Sequence, residues 1–296
     1  MAFIITLTTD FGPSDAYVAA MKGVILSINP QANIIDISHS IEPQNVLQAA
    51  FILNVAYRYF PAQTVHVAVV DPGVGSERRG IILKTPLAFF VAPDNGILSY
   101  IVDELSSGTV EPARKEEVLR GVYFGERRPE DTGFKMAVKQ GLEMAAISDP
   151  RFWREPISPV FHGRDIFAPV AAGLSLGISP YEFGEKINSL TVLPIPKPYT
   201  DSSGNLMGQV LCIDHFGNLT TNIKVGGLPG KHVGVEIVGR LIHGLSSYYA
   251  QDEGLMAILG SSGYLEISVR NGSACDFLGA RIGDEVKVIL PLEAEG

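Results

Sequence analysis

The chain is poor in cysteine: Cys212 and Cys275 are the only two in 296 residues. Two cysteines cannot build a disulfide scaffold, and neither sits in a C-x-x-C pair, so buried free thiols in a reducing compartment are expected. Basic residues are outnumbered, with 23 Lys and Arg against 32 Asp and Glu and a net charge of −9. Such a chain lacks the basic footprint of a nucleic-acid partner. Long apolar runs are missing too. No segment suffices to cross a bilayer, and the opening MAFIITLTTDFG has no basic n-region, so a cytoplasmic protein without membrane contact is expected. The six histidines form neither an i, i+4 pair nor an H-E-x-x-H motif, which argues against a zinc site. No metal or other cofactor is expected.

What is present is ample apolar material, 46% hydrophobic against 19% charged, enough for a sizeable core. The first half alternates strand and helix signals. Phe3 to Thr8, Asn33 to Ser38 and Thr64 to Val70 read as strands, as do Gly80 to Lys84 and Leu87 to Ala92. Between them, Ala16 to Ile28 has helical spacing, and Pro43 is placed to open a helix running to Phe60. Further along, Phe134 to Ile147 looks helical, a charged stretch covers Gly125 to Asp131, and Phe161 to Asp165 opens a helix over Ile166 to Leu176. Continuous apolar strands alternating with helices predict a largely parallel sheet covered by helices.

At Leu193-Pro194-Ile195-Pro196-Lys197-Pro198 the composition shifts to an extended connector. Beyond it the period is two, in Gly208 to Ile213, Val233 to Val238, Leu255 to Leu259, Tyr264 to Val269 and Glu285 to Leu290. The expected organisation is an α/β domain over 1–192, a linker over 193–200 and an antiparallel β-barrel domain over 201–296.

Ligands of open α/β sheets bind beyond the carboxyl ends of the strands, where Asp10 and Asp71 fall. Asp10 and Asp15 flank a Gly-containing turn. They suit a metal pair, a ribose diol, or ordinary turn and helix-cap chemistry by Ser14 or Asp15. Asp71-Pro72-Gly73-Val74-Gly75 lacks the lysine and hydroxyl of a phosphate loop, but it sets a carboxylate on a tight turn shortly before Arg78. An arginine there can orient the carboxylate and keep it ionised. His162 sits at a helix start, where a neutral imidazole is favoured. In the second half, Asp214-His215-Phe216-Gly217-Asn218 and Gly260-Ser261-Ser262-Gly263-Tyr264 are polar loops that either line a ligand or simply close hairpins.

Together these stretches resemble one family, the S-adenosylmethionine hydroxide adenosyltransferases, relatives of the fluorinase and chlorinase. The resemblance runs in order through Thr9-Asp10-Phe11-Gly12 with Asp15, Ile37-Ser38-His39, Val70 to Gly75 with Arg78, and Ala92-Pro93-Asp94-Asn95-Gly96. It continues through Phe161-His162-Gly163-Arg164-Asp165, Ile213 to Asn218 and Ser261-Ser262-Gly263-Tyr264. It implies a trimer with sites between neighbouring subunits. Asp10 would hold the ribose hydroxyls, and Asp15, Asp214 and Ser261 the methionine amine and carboxylate. Asn218 would bind adenine with the backbone near Asn271 and Gly272. Asp71, Arg78 and His162 would form the catalytic set around a water.

The same resemblance separates hydrolase from halogenase. Halogenases carry tyrosine where Asp71 stands, and the fluorinase has serine where Gly163 stands. A carboxylate repels halide yet accepts a proton from water. The fluorinase's long loop is also missing, since Gly80 runs directly to Ala92. Gly121 to Ile147 is longer and more charged than the family norm. The implied activity is hydrolysis of S-adenosyl-L-methionine to adenosine and L-methionine by water attack on the ribose 5′ carbon, with either Asp71 or His162 as base. A non-catalytic sensor of the same molecule, a halogenase and a metal-dependent phosphohydrolase are the alternatives.

Overall fold

The computed structural model describes residues 3–105, 134–137, 142–224, 226, 228, 233–251 and 253–289. The charged stretch Gly125 to Asp131 lies outside these residues. The chain divides into two compact units, Met1–Pro194 and Ile195–Gly296.

The first unit runs β1 (Ile4–Thr9), α1 (Tyr17–Ile28), β2 (Asn33–Ser38), α2 (Val46–Ala56), β3 (Thr64–Val69), β4 (Gly80–Lys84), β5 (Ala88–Pro93) and α3 (Ser99–Leu105). It continues with β6 (Phe134–Ala137), β7 (Glu143–Ile147), α4 (Ala168–Ser175) and β8 (Ser189–Val192). Its main sheet has the order β2-β1-β3-β5-β4-β7. The first four strands in that order pair parallel, as expected, while β4 runs antiparallel to both β5 and β7. The sheet is therefore mixed.

Side chains alternate across each strand. Ile5, Leu7, Val65, Val67 and Val69 face one way and share a core with Met21 and Ile25 of α1 and Val170 of α4. On the alternate face, His66 and Phe90 stack with ring centroids 5.2 Å apart, and Tyr57, just beyond α2, packs against both. Helices thus cover both faces, which frees only the strand ends for function.

Three local expectations change. The helix expected over Phe134 to Ile147 is replaced, in its described residues, by strands: Phe134–Ala137 pairs with β8 and Glu143–Ile147 with β4. Met144 to Ile147 are buried, and the ladder to β4 outweighs the helix propensity of Glu, Met and Ala. Pro43 precedes α2 instead of opening it. Gln44 takes φ 67°, which no helix continues, and Asn45 caps the helix by accepting from Gln48 N. Neither Ser14 nor Asp15 caps α1, whose N-cap is Ala16 with no side-chain bond.

The second unit comprises β9 (Tyr199–Thr200), β10 (Leu206–Ile213), β11 (Leu219–Lys224), β12 (Gly234–Ile237), β13 (Arg240–His243), β14 (Leu255–Leu259), β15 (Tyr264–Val269), α5 (Ala274–Leu278) and β16 (Glu285–Ile289). Its antiparallel order is β13-β12-β16-β10-β11-β15-β14, with β9 on β10. Tyr199–Thr200, within the stretch expected as connector, is therefore paired as β9. Just past β13, Ser246 N donates to Ala257 O of β14 at 2.8 Å, so the two edges nearly close a barrel. Val210, Leu219, Val235, Leu265, Ile267 and Val286 fill its core.

Candidate active site

Thr9 and Val69 are register partners at the carboxyl ends of the adjacent parallel strands β1 and β3. The next residues in each chain direction lead to Asp10 and Asp71, so topology alone brings two carboxylates to one sheet end. Asn95 fixes the second of them from behind. Its amide donates to Val70 O at 2.8 Å, holding the backbone just before Asp71. The neighbouring Asp94 accepts from Arg79 Nε at 2.8 Å and from Thr191 N, so the Asp94-Asn95 turn is scaffold for this end of the sheet.

Asp71 and Arg78 form a two-pronged pair. Arg78 Nε donates to Asp71 Oδ1 at 2.8 Å, and Arg78 Nη2 donates to Asp71 Oδ2. Their side chains are only 5% and 12% exposed, so bulk solvent screens the pair little. The guanidinium also lies over the ring of the fully buried Phe167, 5.2 Å from its centroid. Arg78 Nη2 reaches His162 Nδ1 at 3.1 Å. A guanidinium only donates, so Nδ1 accepts and the ring proton of neutral His162 sits on Nε2. Burial, and then the Arg78 charge, hold His162 below the ordinary imidazole range, which keeps it neutral. The cluster therefore offers carboxylate lone pairs at Asp71 and an N–H at His162, a complementary pair of handles for one water.

The turn that carries Asp71 meets the segment that carries His162 at a glycine. Gly75 has φ 79°, and a Cβ there would lie 2.4 Å from Pro159 O. Only glycine allows both that backbone conformation and that approach.

Asp10 accepts from Gln44 N at 2.8 Å. Burial raises its carboxyl above the ordinary value, and the Asp71 charge adds to that, as two anions at one sheet end must. Asp15 lies exposed on the turn before α1. In the first unit the structure thus gathers Asp71, Arg78 and His162, with Asp10 in electrostatic range and Asp15 at the rim of the same β1–α1 turn. Among the described residues no group of three or more His, Cys, Asp or Glu is arranged to hold a metal ion.

The second unit collects the other predicted residues. Asp214, Asn218, Ser261, Asn271 and Gly272 line one open cavity of about 740 Å³. Asp214 organises its own turn, since its carboxylate accepts from Phe216 N, Asn218 N and Asn218 Nδ2, each at 2.9 Å. Asn271 takes φ 55°, which swings the backbone of Asn271-Gly272 around the end of β15. Sequence reasoning missed the polar side chains Tyr249, Glu266 and Arg270 of this lining, along with the apolar Ala250 and Val269. Glu266 accepts from Tyr249 Oη at 2.7 Å and Ser268 Oγ at 2.9 Å, and the Glu266 hydrogen bond pushes the Tyr249 phenol up to about 12. The available signal was a charged residue between Leu265 and Ile267, both core residues of the same strand.

Known proteins match this chain along most of its length. The family model for the SAM hydroxide adenosyltransferase N-terminal domain matches residues 5–120, and that for the C-terminal domain matches residues 208–287. A Methanocaldococcus jannaschii protein named (R)-S-adenosyl-L-methionine hydrolase is 34% identical, covering 97% of this chain and 95% of that one. A Salinispora arenicola protein of the same name is 34% identical over 96% and 97%. A fluorinase of an Actinoplanes species is more distant, 26% identical over 81% and 78%. The solved structure of an uncharacterized conserved protein from Thermotoga maritima, 33% identical, superimposes with a TM-score of 0.79 over 96% of this chain and 99% of that one. The chain belongs to the SAM hydroxide adenosyltransferase family.

Proposed function

We propose that the chain hydrolyses S-adenosyl-L-methionine to adenosine and L-methionine. The observation that carries this reading is the carboxylate of Asp71, held on both oxygens by Arg78 and standing beside a neutral His162. The hydrolase name of relatives 32% to 34% identical over nearly their whole length supports it.

Water attacks the ribose 5′ carbon in line with the sulfur. The new C–O bond forms as the C–S bond breaks, and its electron pair leaves on a neutral thioether. The sulfonium needs no protonation, so the chain's task is to place the water and take its proton. Each Asp71 oxygen keeps a lone pair beyond its Arg78 contact, whereas Nδ1 of His162 is already accepting. Asp71 is then the base, His162 Nε2–H steadies the water oxygen, and Arg78 fixes both. Neutralising charge as the bond breaks favours a dry pocket over bulk water. Asp10 would grip the ribose hydroxyls; Asp15, Asp214 and Ser261 the methionine amine and carboxylate; and Asn218, with Asn271 and Gly272, the adenine. The reaction as written uses no metal or other cofactor. The family resemblance supports a homotrimer with sites between neighbouring subunits. A cytoplasmic setting is the reading of the sequence itself, and among the described residues no helix is long and apolar enough to cross a membrane.

The test is incubation with S-adenosylmethionine in oxygen-18 water, with and without chloride and with a chelator. Adenosine labelled at its 5′ hydroxyl, unaffected by chelator, is expected. Binding without adenosine marks a sensor, a chlorinated nucleoside marks a halogenase, and chelator-sensitive phosphate release in a parallel incubation with nucleotides marks a phosphohydrolase. Each of these outcomes overturns the hydrolase reading.

A further inference from the structure

Asp165 is the best-buried carboxylate near the site and has no place in the chemistry above. Its side chain is 0% exposed, while its arginine partners Arg154 and Arg164 are 45% and 29% exposed. Burying a carboxylate is costly unless donors surround it. Here they come from both ends of one loop. Arg164 Nε donates to Oδ1 at 2.7 Å and Arg164 Nη2 to Oδ2 at 2.8 Å. Ser158 N donates to Oδ2 at 2.9 Å, and Arg154 Nη1 reaches Oδ1 at 3.4 Å. The Asp165 backbone joins in, its carbonyl accepting from Arg154 N at 2.8 Å. The loop from Arg154 to Asp165 is thus cinched around a single carboxylate, and His162 lies between two of its anchors, Ser158 and Arg164.

Two further features point the same way. Arg164 lies over the Phe161 ring, 5.0 Å from its centroid, so the residues flanking His162-Gly163 are held by the anchored pair itself. The following turn, Gly163–Phe167, is a π-helical turn, and such widened turns recur at functional sites. Burial by itself pushes the Asp165 carboxyl up, yet the Arg164 and Ser158 hydrogen bonds together bring it below the ordinary range. It is therefore ionised at neutral pH.

We propose that Asp165 is the positioning residue for His162, gathering the Arg154–Asp165 loop so that the imidazole meets Arg78. The proposal rests on the hydrolase reading for its kinetic test but not for its spectroscopic one. Removing the anchor lets His162 drift, and a displacement of about 1 Å at a reacting group costs on the order of 100-fold in rate.

The test is a double-mutant cycle in the full chain. Asp165→Asn is expected to lower kcat about 10- to 100-fold with KM within about twofold, and to cost less than about twofold when His162 is already alanine. Equal losses in both backgrounds overturn the proposal, because a merely structural role acts whether or not His162 is present. Arg164→Gln removes two bonds and leaves the carboxylate seated. It is expected to act in the same direction, more weakly, and covers the case in which Asp165→Asn does not fold. Imidazole nitrogen-15 shifts of His162 read placement without turnover. In the parent chain Nδ1 should report as an acceptor, and in either variant the two tautomers should mix. Unchanged shifts overturn the proposal even if no adenosine is ever formed, whereas absent adenosine with changed shifts overturns only the hydrolase reading.

Discussion

Arg78 Nη2 stands 3.1 Å from His162 Nδ1 while the same guanidinium grips both oxygens of Asp71, so one cation serves a carboxylate and an imidazole at once. Because a guanidinium has no lone pair to offer, that contact assigns the roles of its two partners. The imidazole is spent as an acceptor on one side and becomes a donor on the other. The carboxylate keeps the capacity to accept.

Asp71→Asn tests this division directly. The amide keeps the volume and one acceptor oxygen but cannot take the water proton. A fall in kcat of roughly 10²- to 10⁴-fold with little change in KM is expected from steady-state kinetics. His162→Gln, which still offers an N–H donor, should lose less than His162→Ala. Equal losses in the two would count against the donor role.

Arg78 also sets the protonation of His162. Burial lowers the imidazole pKa first and the Arg78 charge lowers it further, so removing the charge by Arg78→Gln should raise it. Titration followed by NMR should show the His162 midpoint below the ordinary 6.5 in the parent chain and moved upward in the variant. In the parent, the acid limb of kcat/KM should accordingly begin below pH 6.5, since protonating Nδ1 breaks the Arg78 contact.

Gly75→Ala places a methyl against Pro159 O as well as a side chain at positive φ. Gly177 shares the positive φ but faces open space, so Gly177→Ala serves as control. Gly177→Ala should cost roughly 1–2 kcal/mol of stability by denaturant unfolding, the left-handed backbone penalty alone, and Gly75→Ala should cost more because the Pro159 clash adds to it. Gly75→Ala alone should also lower kcat, by about tenfold or more, because the His162 segment must move off the Asp71 turn.

His66 makes a prediction about stability. It is fully buried against Tyr57, Phe60 and Phe90, and burial lowers its pKa from 6.5 to about 4. The unfolded chain therefore binds this proton between pH 6.5 and about 4 while the folded chain does not. Stability falls as pH drops through that window, by up to about 3 kcal/mol. His66→Phe, which would also remove the Nε2 that is unpaired among the described residues, should flatten that slope in denaturant midpoints measured across the window.

Much of the sheet was legible because its signals are local. β1 and β3 are short apolar runs that stop at Asp10 and just before Asp71, so the carboxylates could be placed at strand ends from the residues alone. Phe134 to Ile147 misled because Glu, Met and Ala favour helix, while the strand that claims Glu143–Ile147 lies some sixty residues earlier. The partnership of His162 with Arg78 spans 84 residues. Only the family pattern, not the spacing, could join them. Asp165 and Glu266 stayed hidden for a related reason: a lone charged residue carries no mark of whether its partners will bury it.

The hold on the Asp71 end of the sheet is made to backbone, with Asn95 grasping Val70 O and leaving the side chain at position 71 out of the scaffold. Architecture and chemistry are therefore separable at that position. On the proposed mechanism, a lineage built on this chassis can change which nucleophile is delivered there without renegotiating how the sheet folds. The cost of such a change falls on the few side chains that face the newcomer, Arg78 first among them. Redesign toward another small nucleophile should start at position 71 and its arginine and leave the Asp94-Asn95 turn untouched.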